Sequence, residues 1–163
     1  MFLGEYEHSL DEKNRVVLPS NHRKEISEEK LVKGFVLARG SMSQCLDLHP
    51  KGEWLRLVRH LEGLYPYEDE EAQEYLRDLF SSAEEVQLDK QFRFVIPDAR
   101  RAEVGIEKDV FFVGNSRKIE IWPKERWEAR KGERRGKFKP PGPVGSRRAP
   151  PGGVAAPPPD SRL

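Results

Sequence analysis

Apolar and polar positions fall into short blocks along this chain. Tyr6, His8, Leu10, Val16 and Leu18 trace an imperfect alternation interrupted by the polar run Asp11 to Asn14, which predicts a β-hairpin or a strand with a tight polar bend over residues 5–18. Pro19 stops strand pairing, and Ser20 or Asn21 is placed to cap a short helix through Ile26. Further along, Pro97 and Asp98 take that place, with a helix over Ala99–Val104 and Gly105 as its C′ residue. Between the two blocks, Trp54, Val58, Leu61 and Leu64 or Tyr65 recur at helical spacing until Pro66. Ala72, Tyr75, Leu76, Leu79 and Ala83 then start a second helical series.

The two blocks are copies of one module. Leu10-Asp11-Glu12-Lys13-Asn14-Arg15-Val16-Val17-Leu18-Pro19 returns as Leu88-Asp89-Lys90-Gln91-Phe92-Arg93-Phe94-Val95-Ile96-Pro97, a shift of 78 positions that also aligns Arg23 with Arg101 and Glu25 with Glu103. Phe35 to Ala38 lies opposite Val110 to Val113, and Leu46 to Pro50 opposite Ile119 to Pro123. Trp54 and Trp127 each stand four residues after the closing proline. Each copy therefore reads as strand, short helix, strand, strand and the start of another helix. The predicted organisation is one repeat over residues 5–52, a helical linker over 53–82 and a second repeat over 83–126. Either half alone has too few strands to enclose a core. Interleaved hairpins from both halves are predicted to close a small barrel, an α+β arrangement with the linking helices outside it.

Composition changes the picture at the C-terminal end. Hydrophobic residues make up 36% of the 163 residues, and residues 132–163 are rich in Pro, Gly and Arg without apolar periodicity, so a disordered tail is expected there. The net charge of +1 is unevenly spread. Nine basic and three acidic residues lie from Glu128 onward, leaving 20 basic and 25 acidic before it. An anion-binding surface on the body must therefore be a local patch. The acidic run Asp69, Glu70, Glu71, Glu74 and Asp78 reads as a solvated helix face or an acidic docking surface. Cys45 is the single cysteine, which excludes an intrachain disulfide and thiolate clusters. The absence of a long apolar run leads to the expectation of a soluble cytoplasmic protein with no membrane partner. His8, His22, His49 and His60 have no metal-ligand spacing, and neither a phosphate-binding glycine loop nor a nucleophile triad can be argued. No enzyme activity, cofactor, metal or small-molecule substrate is expected.

The paired motif Asp-x-x-x-Arg followed by an apolar triplet and Pro, at Asp11 to Pro19 and Asp89 to Pro97, resembles the MraZ family of bacterial transcriptional regulators with two AbrB-like (SpoVT-AbrB) domains. Met1-Phe2-Leu3-Gly4 and the Pro-x-x-x-Trp closures extend the resemblance over residues 1 to about 127. It implies a double swapped-hairpin barrel assembled into ring-shaped homo-oligomers. It further implies a nucleoid-associated repressor that binds double-stranded promoter DNA at G-rich direct repeats upstream of the division and cell-wall gene cluster. Asn14 and Phe92 stand where the family usually has Gly. Asn tolerates a positive φ, but Phe there would be strained, so a different turn or a contact with a neighbouring subunit is expected in the second loop.

Under that resemblance Arg15 is the first candidate for DNA contact, because a guanidinium can donate two parallel bonds to guanine O6 and N7 or clamp a phosphate. Lys13 would add a phosphate contact and Asn14 a base contact or a hold on the bend. The alternative is an ion pair that fixes the hairpin. That is the favoured role of Asp11 and Asp89, with Pro19 and Pro97 ending the motif strands. Arg93 is a weaker candidate, since Gln91 replaces Lys13. Arg23 and Lys24, with Arg100 and Arg101, would face phosphates from short helices or be ordinary helix charges. Trp54, Trp122 and Trp127 read as packing residues. Competing functions are an assembly protein without DNA binding and an AbrB-like antitoxin.

Overall fold

Strands form where β-branched and aromatic residues cluster, and helices open where a proline ends a strand. The structure, a computed structural model, describes residues 1–142. The first copy of the repeat runs through β1 (Glu5–Ser9), β2 (Arg15–Val17), α1 (Ser20–Arg23), α2 (Glu28–Lys33), β3 (Phe35–Arg39), β4 (Leu46–Pro50) and α3 (Lys51–Leu64). After α4 (Glu70–Ser82), the second copy runs through β5 (Glu84–Val86), β6 (Arg93–Val95), α5 (Asp98–Val104), β7 (Asp109–Asn115), β8 (Lys118–Pro123) and α6 (Lys124–Arg134). The class is α+β.

Pro19, Pro50, Pro97 and Pro123 occupy the N-cap positions of α1, α3, α5 and α6, with φ of −53°, −54°, −59° and −55°. Proline lacks the N–H that would continue a ladder and already holds a φ suited to helix entry. Ser20 and Asn21 are accordingly not caps. Asn21 instead donates its side-chain amide to the Tyr6 hydroxyl at 2.8 Å, and α1 ends at Arg23, short of the expected Ile26. The chain restarts at Ser27, whose side chain accepts from the Lys30 amide and caps α2. Asp69 caps α4 through the Ala72 amide at 3.0 Å.

The two copies exchange their first strands. β1 of the first copy pairs antiparallel with β7 of the second, and β5 of the second pairs antiparallel with β3 of the first. The hairpins β3–β4 and β7–β8 join through β4–β8, giving a six-stranded sheet of order β1-β7-β8-β4-β3-β5. Exchanging the copies reverses this order and leaves it unchanged. β2 and β6 pair only with each other, as a two-stranded ribbon in which Val16 faces Phe94 across the ladder. Interleaving is thus present, but among the described residues the strands form two open ladders, not the closed barrel expected. The polar turns at residues 11–14 and 89–92 follow β1 and β5 and redirect β2 and β6 out of the sheet into their own ribbon.

Ribbon and sheet enclose the main core. Val16, Leu18, Phe94 and Ile96 pack with Phe35, Leu37, Leu48, Phe112, Ile119 and Ile121, all buried. Each such side chain contributes about 1.5–3 kcal/mol when fully buried. Val36 and Ala38 point to the other face, where Trp54, Leu57 and Leu61 of α3 meet Leu76 and Leu79 of α4. Trp54, Leu61, Leu76 and Leu79 belong to the two helical stripes read from the sequence, whereas Leu57 was not among them and Leu64 is exposed.

Helix α6 continues to Arg134, into the region expected to be tail. Its hold is polar, which explains why apolar periodicity did not reveal it. Trp127 Nε1 donates to Glu5 at 3.0 Å, Lys131 pairs with Glu5, Lys124 pairs with Glu7 at 2.6 Å, and the Arg130 guanidinium lies 5.4 Å from the Trp122 ring centroid. The rest of the expected tail, from residue 143, lies outside the described residues.

The N-terminal segment continues the β1 ladder along β7 past Gly114. Phe2 bridges Ser116, and the Gly114 amide donates to the Gly4 carbonyl at 2.8 Å. A Cβ on Gly114 would stand 2.5 Å from the Leu3 nitrogen and 2.6 Å from the Phe2 carbonyl carbon. Both obstacles are backbone. Gly114→Ala should therefore displace the segment and the buried Phe2, at a cost of about 1–3 kcal/mol in chemical denaturation. An unchanged midpoint would refute the close approach.

Candidate nucleic-acid interface

The two Asp-x-x-x-Arg segments fold into the same turn. In the first, one oxygen of the Asp11 carboxylate accepts the Lys13 and Arg15 amides at 2.8 and 2.9 Å, and the other accepts Arg15 Nε at 2.8 Å. The Asp11 amide donates to the Arg15 carbonyl at 2.8 Å and the Asn14 amide to the Asp11 carbonyl at 3.0 Å. In the second, Asp89 accepts the Gln91 and Arg93 amides at 2.8 and 2.9 Å and Arg93 Nε at 2.8 Å. A short side chain that bonds its own backbone two residues on is the physical basis of such turns. These hydrogen bonds hold both carboxyls below the usual carboxylate range, the Arg15 and Arg93 amides having the largest effect, followed by their side chains and the Lys13 and Gln91 amides.

The turn requires a positive φ at its fourth residue. Asn14 and Phe92 both adopt φ 58°. Phe92 thus does not impose a different turn, contrary to expectation. Its ring packs against the main core and lies 5.4 Å beneath the guanidinium carbon of Arg23, contacts that offset an unfavourable backbone conformation. Arg23 belongs to the first copy, so this stack ties α1 to the turn of the other copy.

Because Val16 and Phe94 point inward, the period of two turns Arg15, Val17, Arg93 and Val95 onto the outer face of the ribbon. Arg15 stands opposite Val95 and Arg93 opposite Val17, so the arginines sit at opposite ends of the ribbon, related by the exchange of copies. Their Cα atoms are about 8 Å apart by strand geometry. Each is partly exposed, and each commits Nε to its aspartate, while among the described residues the remaining guanidinium nitrogens have no hydrogen-bond partner. Lys13 is exposed at one turn.

The other predicted residues are dispersed. Lys24 is exposed at the C-terminal end of α1, near Arg23 in sequence but without its stack. Arg100 faces inward: it donates to the Ser82 carbonyl at 3.0 Å and pairs with Glu84 at 3.1 Å and Glu103 at 3.0 Å. Arg101 pairs with Asp98 at 2.5 Å. Arg100 thus ties α5 to the end of α4 and to β5, whereas the Arg101–Asp98 pair lies within α5, and neither arginine belongs to the ribbon. Pro19 and Pro97 close the motif strands as helix N-caps. Sequence reading missed Lys90, which is exposed in the second turn where Glu12 stands in the first, so each turn carries one lysine. It also missed Val17 and the exposed Val95 between the arginines. Strict alternation from Val16 and Phe94 would have found both.

Comparison with known proteins matches the chain to the family model described as "MraZ protein, putative antitoxin-like", in two segments, residues 1–77 and 79–137. The chain is 39% identical over 133 residues to a protein of Acetivibrio thermocellus named "Transcriptional regulator MraZ", covering 82% of this chain and 88% of that one. It is 41% identical over 127 residues to the protein of that name from Clostridium acetobutylicum, covering 78% and 84%. It is 40% identical over 129 residues to that from Lachnoclostridium phytofermentans, covering 79% and 86%.

The depressed pKa values set the acid behaviour of both turns. A carboxylate whose folded pKa lies below its unfolded value stabilises the fold above the unfolded pKa, and that contribution is lost as pH falls through the folded one. Hydrogen exchange protection of the Lys13, Arg15, Gln91 and Arg93 amides should therefore decline together below about pH 4. Asp11→Ala should remove protection in the first turn at neutral pH and leave the second intact. Full protection of Arg15 in that variant would show that the carboxylate does not hold the turn.

Proposed function

The chain belongs to the MraZ family, and from that membership we propose that it is a DNA-binding transcriptional regulator. The observation that carries this reading is the pair of identical Asp–Arg turns at opposite ends of one narrow ribbon, each holding an arginine by Nε with the rest of its guanidinium unpartnered among the described residues. A guanidinium oriented this way loses little further freedom when it meets the O6 and N7 of guanine. The ribbon has two strands and is narrow enough for the major groove. Arg15 and Arg93 read bases, Asn14 supports the first turn, and Lys13 and Lys90 contact phosphates on either side. Arg23 and Lys24 form a second rank beside the Phe92 turn. Arg100 and Arg101 act as struts of α5.

The strand order that survives exchange of the copies supports a swapped-hairpin architecture of the AbrB type, with residues 5–52 and 83–126 as its halves and 53–82 as the linker. The regulator acts in the cytoplasm, on the nucleoid, as a homo-oligomeric ring. Its operator is a set of G-rich direct repeats in the promoter of the division and cell-wall gene cluster, where it represses. Ring assembly compensates for a body with little net positive charge, since several weak sites at fixed spacing raise affinity through effective concentration.

An electrophoretic mobility assay on the DNA upstream of its own gene, at about 0.15 M salt, tests the reading. The full chain should prefer that DNA to scrambled sequence, and Arg15→Ala and Arg93→Ala should each weaken binding by about 5–150-fold with unchanged oligomer size. Equal binding to scrambled DNA, or no effect of either substitution, would leave an assembly protein or an antitoxin as the better description.

A further inference from the structure

Behind the sheet, on the face opposite the ribbon, α3 and α4 leave a cavity of about 460 Å³ beside the β7–β8 turn. That volume suits a small organic molecule. Trp54, Leu57 and Leu79 give it an apolar wall. Its polar lining holds three carboxylates, Asp47, Glu53 and Asp78, yet two of its donors lack a hydrogen bond. Among the described residues the Tyr75 hydroxyl and Arg117 Nη1 are buried atoms without a hydrogen-bond partner, and both residues line the cavity.

The neighbouring charges do not remove that deficit. Arg117 Nη1 forms an ion pair with Glu53 at 3.8 Å, too long for a hydrogen bond, and among the described residues Arg39 donates to the Asp78 carbonyl at 3.4 Å. Asp47 is bonded to Lys118 at 2.6 Å, so this pair satisfies itself. Burial pushes His49 down to about 3, leaving it neutral at physiological pH. Asp78 is exposed at the rim. Buried donors are ordinarily satisfied, so donors left open around an apolar pocket specify a ligand that brings acceptors.

We propose that this cavity binds a small organic carboxylate with an aromatic or apolar body. The carboxylate accepts from Arg117 and Tyr75, and the body lies against Trp54, Leu57 and Leu79. The site is separate from the ribbon and does not depend on the DNA reading.

Isothermal titration of the full chain with phenylacetate tests this, with 2-phenylethylammonium as a cation of the same body. Phenylacetate should bind saturably with a Kd of about 1 mM or tighter, and the cation at least about tenfold more weakly. Arg117→Ala, at a partly exposed turn residue, should weaken phenylacetate binding by about tenfold, and Tyr75→Phe by a smaller factor, with the thermal midpoint of the free protein unchanged. Leu79→Trp, which fills the cavity, should abolish binding. Absence of saturable heat, equal binding of the cation, or undiminished binding by Arg117→Ala would each overturn the proposal. So would resonances of Tyr75 and Arg117 that move with protein concentration and not with phenylacetate, because a carboxylate of a second copy would then be the occupant.

Discussion

Neither copy of the repeat can pair its own first strand. β1 is held by β7 and β5 by β3, so each half completes the sheet of the other. The consequence is a single cooperative core, since Val16 and Leu18 of the first copy are covered by Phe94, Ile96 and Phe112 of the second. Joining both copies in one chain makes this exchange intramolecular, which removes the concentration dependence that two separate halves would carry. The ribbon of β2 and β6 exists only because both copies are present, and with it the face that carries both arginines.

The Asp–Arg turn joins sheet to ribbon. One carboxylate accepts two backbone amides and one guanidinium N–H, which reverses the chain within four residues and aims the arginine in the same step. Structural and DNA-contacting roles need not compete. The aspartate uses one edge of the guanidinium and leaves the other nitrogens for a partner. An exposed ion pair of this kind adds little to stability on its own. Its larger effect is to narrow the orientations of Arg15 and Arg93. In the second copy Phe92 accepts an unfavourable backbone conformation because the core and Arg23 hold its ring.

The two faces of the sheet meet different demands. Toward the ribbon the packing is apolar apart from the rings of His22 and His8, which meet Phe2 and Phe112 edge-on. Toward α3 and α4 the sheet carries a buried Asp47–Lys118 pair beside a neutral His49. Burial pushes the Asp47 carboxyl up despite its partner, whereas the charge of Asp47 holds Lys118 above the ordinary lysine range against the effect of its own burial. Charges buried here in an otherwise apolar layer add little to stability, because desolvation opposes their attraction. They line the cavity that the helices leave open.

The repeat, the two helical stripes and the positions of the turns were legible in the chain, because period, proline placement and the Asp–Arg spacing are local properties. Composition and spacing also argued against catalytic and metal-binding arrangements. Three things lay beyond local pattern. Strand exchange depends on which distant segments meet. The course of α6 to Arg134 depends on Glu5 and Glu7, which lie more than a hundred residues away in sequence. The common turn at Phe92 depends on an arginine in the other copy. Sequence alone therefore missed the break between α1 and α2 but determined the repeat, the Asp–Arg turns and the helical stripes. Only the tertiary structure decided their partners, because the contacts that satisfy a strand edge, a polar helix or a strained residue are made across the chain by residues with no local signature.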